Sequence, residues 1–572
     1  MKLQYLVFTL FFLLISCDAQ KTMVEETPKT SIAKTNLTEV IDAYHQYQRK
    51  HRTPEGQWPD LSPEKVKDKI YMLSKYVEQL DEIDKINLSE NDMINYEMLR
   101  ILIEDKLYNL EYESYLMPLN AEGGFIIGMV YSTQNEQLRS EKDIDKYYKK
   151  LKAVPAYIDD NIDLLNKGLA KNKKLPKLII ENCVSMIDQY IETPIKELFI
   201  SQPIKNSGER EDEGYGLVEN NVVPAFKKLK KYLTEEYIPN TKEAIGVSTN
   251  EEGKEYYEQR VRFFTTLNMT PEEIFETGQK EVKRIRAEME AIIKELKFDR
   301  SYADFLEFLR TDPQFYVDTP QELLNHASWL SKKAEEILPT YFGKLPRLPF
   351  TVNPVPASIA PNYTTGRYSG GSMGEQRAGQ YWVNTYNLPS RPLFVLPSLT
   401  LHEAVPGHHL QISLAKELEG LPKFRNTYLS AFGEGWGLYS EYLGKEAGIY
   451  TSPYEDFGRL TYEMWRACRL VVDPGMHYMG WTREEAVEFM ASNTALSLHE
   501  VNTEINRYIG WPGQAVSYKI GELKIRELRK RAEEKLGDNF DIREFHDLIL
   551  SNGSIPLISL ERIVDSYIAE KA

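Results

Sequence analysis

Nine histidines occur in this 572-residue chain, and three of them fall in one segment, His402-Glu403-Ala404-Val405-Pro406-Gly407-His408-His409. Imidazoles and a carboxylate gathered this closely are the donor types that hold zinc, with the glutamate available to take a proton from an attacking water. The familiar helical spacing is His-Glu-x-x-His, which sets two imidazoles one turn apart on one face. Here the fourth residue after His402 is Pro406, which cannot ligate, and the next histidines stand six and seven positions along. On an unbroken helix seven positions climb about 10 Å, too far to share one ion. Pro406 deletes a helical hydrogen bond and Gly407 permits unusual dihedrals, so a bulged helix is expected to return His408, or alternatively His409, toward His402. Ser398 is the expected cap of that helix.

A third ligand is expected on a second helix, in Ala431-Phe-Gly-Glu434-Gly-Trp436-Gly-Leu-Tyr439-Ser-Glu441. Glu434-Gly-Trp resembles the Glu-Gly-Phe run of gluzincin aminopeptidases, which implies Glu434 as the ligand. Glu441, two turns on, faces the same way and serves as the less favoured ligand or as a partner behind one. Donors for an oxyanion are sought among His477, Tyr508 and Tyr518. Arg469 and Asp473, near His477, fit a buried pair that organises helices as well as they fit a site. Arg507 has the forked geometry for a substrate carboxylate. The strand Tyr381–Asn384 is a candidate edge for pairing with a peptide, with Asn384 touching substrate backbone.

Together, His402 to Gln411, Glu434 to Glu441 and Arg507-Tyr-Ile-Gly-Trp-Pro-Gly-Gln-Ala-Val-Ser-Tyr518-Lys-Ile-Gly521 resemble the bacterial domain-of-unknown-function family 885 from about residue 40 to 565. That family is grouped by likeness with His-Glu zinc peptidases. The resemblance implies a large helical architecture like that of the oligopeptidases, with a cleft over zinc. Its members carry His408 more constantly than His409, which implies the trio His402, His408 and Glu434.

The elements that must position these residues are mostly helical. Apolar residues recur at three and four spacing in 87–115, 141–171 and 175–198, while 120–134, with three glycines, looks like a loop. Thr270-Pro271-Glu272-Glu273 has the cap, proline and early acids of a helix start, and that helix runs through Glu295. Prolines and glycines cluster from 344 to 398 around short aromatic runs, which predicts a small β-sheet just before the metal motif.

The N-terminus has a different purpose. Leu3 to Ile15 is a short apolar run ending in Leu14-Ile15-Ser16-Cys17, which resembles a bacterial lipobox. Residues 1–16 are expected to be a lipoprotein signal peptide, Cys17 the lipidated residue and 17–36 a tether. One catalytic unit, 37–572, then follows, with a helical part 37–340 and a metal-site part 341–572. Such a protein is exported and faces the periplasm or cell surface, held to the membrane only through its anchor. Cys183 and Cys468 are expected as buried free thiols. A formal net charge of −16 with no basic stripe excludes nucleic acid as a partner.

The expected whole is a mainly α zinc peptidase acting on oligopeptides, with Glu403 as general base. Two other outcomes stay open: a zinc hydrolase of another amide, such as a cell-wall or acyl-amino-acid bond, and a non-catalytic binding lipoprotein of the same fold.

Overall fold

In the computed structural model, residues 29–134, 136–357, 360 and 363–572 are described. The signal peptide, Cys17 and the first part of the tether lie outside them. The rest of the tether does not stay extended, because the first helix, α1, spans Lys29–Lys50. α2 (Pro63–Asp81) and α3 (Glu90–Glu111) follow, started by Ser62 and Ser89, whose hydroxyls accept from Lys65 and Asp92 backbone N–H. Tyr44 of α1, Leu73 and Leu80 of α2, and Leu99 of α3 join a core shared with the C-terminal helices.

Residues 125–134 form a helix, where the sequence suggested a loop. Gly123 and Gly124, both at positive φ, confine the turn to the residues just before it. The apolar run Phe125-Ile-Ile can then bury Ile126 with Met129. The segment 141–171 divides into Glu141–Lys152 and Val154–Ala170, and Pro155 sits in the first turn of the second helix, where its missing N–H costs nothing. The helix Pro271–Glu295 starts and stops where its signals put it, with Thr270 and Glu273 forming a reciprocal capping box.

The β patch is a three-stranded sheet of β1 (Phe350–Pro354), β2 (Gly366–Ser369) and β3 (Gly379–Val383), in the order β1-β3-β2. β3 pairs parallel with β1 and antiparallel with β2, so Tyr381 stands between Val352 and Tyr368. The strand expected to offer a free edge is therefore the central one, with both backbone edges already paired.

Helices resume with α4 (Leu396–Glu403), α5 (His408–Lys416), α6 (Ser430–Glu446), α7 (Pro453–His477), α8 (Leu498–Ile509) and α9 (Ser517–Leu536). α6 and α9 approach closely because both are stripped to glycine where they cross. A Cβ at Gly435 would lie 2.5 Å from the Gly521 carbonyl carbon, and one at Gly521 would overlap the Ala431 carbonyl. α7 is buried from Phe457 to His477. It packs on Pro271–Glu295, where a Cβ at Gly278 would stand 2.7 Å from that of Leu470. Cys183 and Cys468 are buried free thiols, and burial pushes the Cys183 thiol up to about 12. Among the described residues no helix is long and apolar enough to cross a membrane.

Candidate metal centre

α4 delivers His402 and Glu403 in its last turn and then stops. The expected bulge is a full break: residues 404–407 form a turn, and α5 begins at His408. The chain folds back so tightly that a Cβ at Gly407 would overlap the carbonyl oxygens of His402 and Leu401. Trp436 of α6 braces the turn by donating its indole N–H to the Pro406 carbonyl at 2.8 Å. Ser398 lies inside α4 rather than capping it, since the helix begins at Leu396, and its hydroxyl donates to Glu441 Oε2.

The break brings the two imidazoles together. The His402 and His408 rings lie 4.7 Å apart and nearly perpendicular. From α6, Glu434 Oε2 sits 3.4 Å from Nε2 of each. His402, Glu403 and His408 are all buried, and their potential ligand atoms lie within 4.8 Å of one another. Glu441 reaches His402 from behind, its Oε1 accepting from Nδ1 at 2.7 Å, which leaves Nε2 to face the cluster. Glu441 thus orients the His402 ring from behind, and its carboxylate does not join the cluster. The His402 ring lies flat on α6 because residue 437 is glycine: a Cβ there would stand 2.6 to 2.8 Å from three of its ring atoms.

The electrostatics favour a cation. Burial alone would lower the His402 pKa, but Glu434, Glu441 and Glu403 reverse this and raise it to about 9. Desolvation would raise the pKa of the half-buried Glu434, yet His408 and His402 hold its carboxyl well below the usual range. A buried, carboxylate-rich pair of imidazoles whose Nε2 atoms share one carboxylate oxygen suits a tetrahedral cation with one open position.

His409 belongs elsewhere. Its Nδ1 meets the Tyr368 hydroxyl at 2.9 Å and the ring packs on Phe350 at 4.6 Å. Burial lowers its pKa to about 4, so it stays neutral. His408 rather than His409 therefore faces His402 and Glu434.

Glu403 is held by the sheet: the Tyr368 backbone N–H of β2 donates to its Oε2 at 2.7 Å. Tyr428 donates to Glu434 Oε1 at 3.0 Å. Tyr518 is half-buried on α9, and burial followed by the Glu434 charge raises its pKa. Arg367 of β2 feels desolvation, which Tyr363, Tyr518, Glu403 and Glu434 more than offset to keep its guanidinium charged. Arg367, Tyr428 and the Tyr368 N–H carry no signal in the sequence, since no motif spacing ties them to His402. The Gly-Trp-Gly run around Trp436 did carry one, as paired glycines on a helix announce a close approach.

The remaining expected site residues are committed to the framework. His477 is fully buried: Val247 N–H donates to its Nδ1 and its Nε2 meets the Tyr508 carbonyl at 3.0 Å, so neither nitrogen is left for an oxyanion. The Tyr508 hydroxyl donates to Glu504 at 2.7 Å and accepts from Arg469 and Trp465. Arg507 is spent on Glu504 and Gln514, at 3.0 and 2.7 Å. Asn384 has no exposure, and its amide donates to the carbonyls of Ala360, Tyr363 and Thr364, which pins the loop before β2. Buried polar groups must pair, and these four have paired internally.

The fold and this cluster define a large, mainly helical protein with a small sheet and a candidate His/Glu metal centre. The chain belongs to the family described as bacterial protein of unknown function (DUF885), whose profile matches residues 44–564. No curated protein matches it in sequence. Among solved structures, a "putative lipoprotein" from Colwellia psychrerythraea is similar at TM-score 0.83 and 25% identity, covering 95% of this chain and 97% of its own. A "putative lipoprotein of unknown function" from Shewanella oneidensis shares the fold at TM-score 0.72 and 17% identity, with 93% and 98% covered. A "putative oligoendopeptidase F" from Bacillus anthracis aligns at TM-score 0.31 and 14% identity over 90% and 96%, too weakly to carry an argument.

Proposed function

We propose that this protein is a zinc-dependent hydrolase of peptide bonds in oligopeptides, with the ion held by His402, His408 and Glu434. The observation that carries the reading is Glu403. It is a further buried carboxylate within 4.8 Å of the imidazole donors, anchored through one oxygen by a backbone N–H. A centre that only binds a cation has no use for such a group, whereas a hydrolase needs a base at that place.

When bound, zinc supplies Lewis-acid polarisation of a carbonyl and of a water. The chain's own groups do the rest. Glu403, with Oε2 fixed by Tyr368 N–H, takes the proton of the attacking water at Oε1 and passes it to the leaving amine. Tyr518 donates its phenolic hydrogen to the developing oxyanion. Arg367 takes the substrate-carboxylate role first assigned to Arg507, because its guanidinium is exposed on β2 and within the field of Glu403 and Glu434. The choice of oligopeptides rests on the family resemblance, and the large helical fold supports it only by analogy. Export as a lipoprotein anchored at Cys17 is part of the same proposal. It is supported by the lipobox and by the naming of both structural relatives.

The test is digestion of a peptide library, extended with cell-wall peptides and acyl-amino acids, with and without chelator and read by mass spectrometry. Glu403→Gln protein should keep about one zinc per chain, as one three-ligand site requires, and lose cleavage by about 10²–10⁴-fold. Full activity in that variant refutes the mechanism.

A further inference from the structure

A second concave site lies away from the metal centre. It is a cavity of about 830 Å³ among α1, α2, α3 and the segment after α5, and no residue of the His402–His408–Glu434 cluster lines it. That volume falls in the usual range for small-molecule sites. Its charge is unusual for this chain. Arg49, Arg52, Lys69, Lys106 and Lys423 line it against a single acid, Asp105, although the whole chain carries −16. Asp105 is already paired with Arg260, and Lys106 donates to the Tyr44 hydroxyl. Arg49, Arg52, Lys69 and Lys423 form no ion pair among the described residues, in a protein whose other arginines and lysines are repeatedly paired.

Unpaired cations converging on a concave surface focus a positive potential.

We propose that this cavity binds a multiply charged oxyanion of the phosphate class, seated among Arg49, Arg52, Lys69 and Lys423. The proposal does not depend on the hydrolytic reading. Its phosphate is carried by a lipid headgroup or by a free phosphate compound, and the two sources are separable by experiment.

The test is calorimetric titration of the purified full chain, in a maltoside detergent, with inorganic phosphate and with glycerol phosphate. The same titrations on His402→Ala protein exclude binding at the metal centre. The expected result is saturable binding of one ion per chain that weakens with salt and survives His402→Ala. Combined Arg49→Ala, Arg52→Ala and Lys423→Ala substitutions should weaken it at least tenfold with Tm unchanged, since these side chains are exposed and unpaired. Tighter binding of glycerol phosphate identifies the headgroup source, and equal or tighter binding of inorganic phosphate the free one. Absence of saturable binding by both probes, or equal affinity in the triple variant, overturns the proposal.

Discussion

The contact between Gly437 and His402 makes a sharp test of the metal centre. In Gly437→Ala the new Cβ would lie 2.6, 2.7 and 2.8 Å from Cε1, Nε2 and Nδ1 of the His402 ring. Carbon atoms rest at about 3.5–4.0 Å, so one partner must retreat by about 1 Å. The helix cannot give way, because Gly435 is already seated on the Gly521 backbone and Trp436 is fully buried. The ring must move instead, and it is tied to Glu441 at 2.7 Å. Zinc–nitrogen bonds of about 2.0–2.1 Å tolerate roughly 0.2 Å, so a retreat of that size removes His402 from the ligand set. Zinc affinity should then fall by more than the ~10–100-fold typical of losing a partner behind a ligand. Overpacking should cost about 1–3 kcal/mol of stability. The assay is zinc content after dialysis against graded chelator, paired with urea unfolding. Gly216→Ala serves as control, at a helical position where a Cβ meets open space. Wild-type zinc affinity in Gly437→Ala protein would refute His402 as a ligand lying on α6.

Glu441→Gln keeps the shape of the group behind His402 but removes its charge, so zinc should bind ~10–100-fold more weakly in the same chelator series. An unchanged affinity would deny Glu441 that role. Tyr518→Phe should retain zinc and KM while kcat falls by about 10²–10³-fold, as loss of an oxyanion donor does; a rise in KM alone would make it a binding residue. Acid should unfold the metal-free protein early. Burial lowers His409 and His477 to about 4 and His546 to about 3, against an ordinary value of 6.5. Between those values the unfolded chain binds more protons, so the stability from keeping these rings neutral is present above pH 6.5 and drains away as pH falls toward 4. Each ring contributes roughly 3–5 kcal/mol at full effect. Thermal unfolding at successive pH values checks this, and a Tm that holds steady from pH 7 to 5 contradicts it.

Local chemistry made part of this protein legible. Ligand types and the Pro406-Gly407 interruption were readable because proline and glycine act on their own backbone, whatever surrounds them. The helix Pro271–Glu295 was readable for the same reason, since its cap and first-turn proline are local devices. The short strand Gly379–Val383 showed itself through its composition but not its place. Nothing in a five-residue run says whether its edges are paired, and β1 and β2 took both. Asn384 lost its expected substrate role with that edge.

The sequence by itself determined the donor set, His402, Glu403, the His408-His409 pair, Glu434 and Glu441, and the need for the helix to yield between the first and second histidines. Tertiary structure alone decided where each member stands. His408 faces Glu434 while His409 turns to Tyr368 and Phe350, a choice made by neighbours from distant strands. Tyr518 stays half-buried and feels the Glu434 charge, whereas Tyr508, His477 and Arg507 were consumed by Glu504, Val247 and Gln514. The physical reason is common to all of them. A residue's chemistry is a property of its side chain, but whether that chemistry is free depends on which buried groups arrive beside it and must be satisfied.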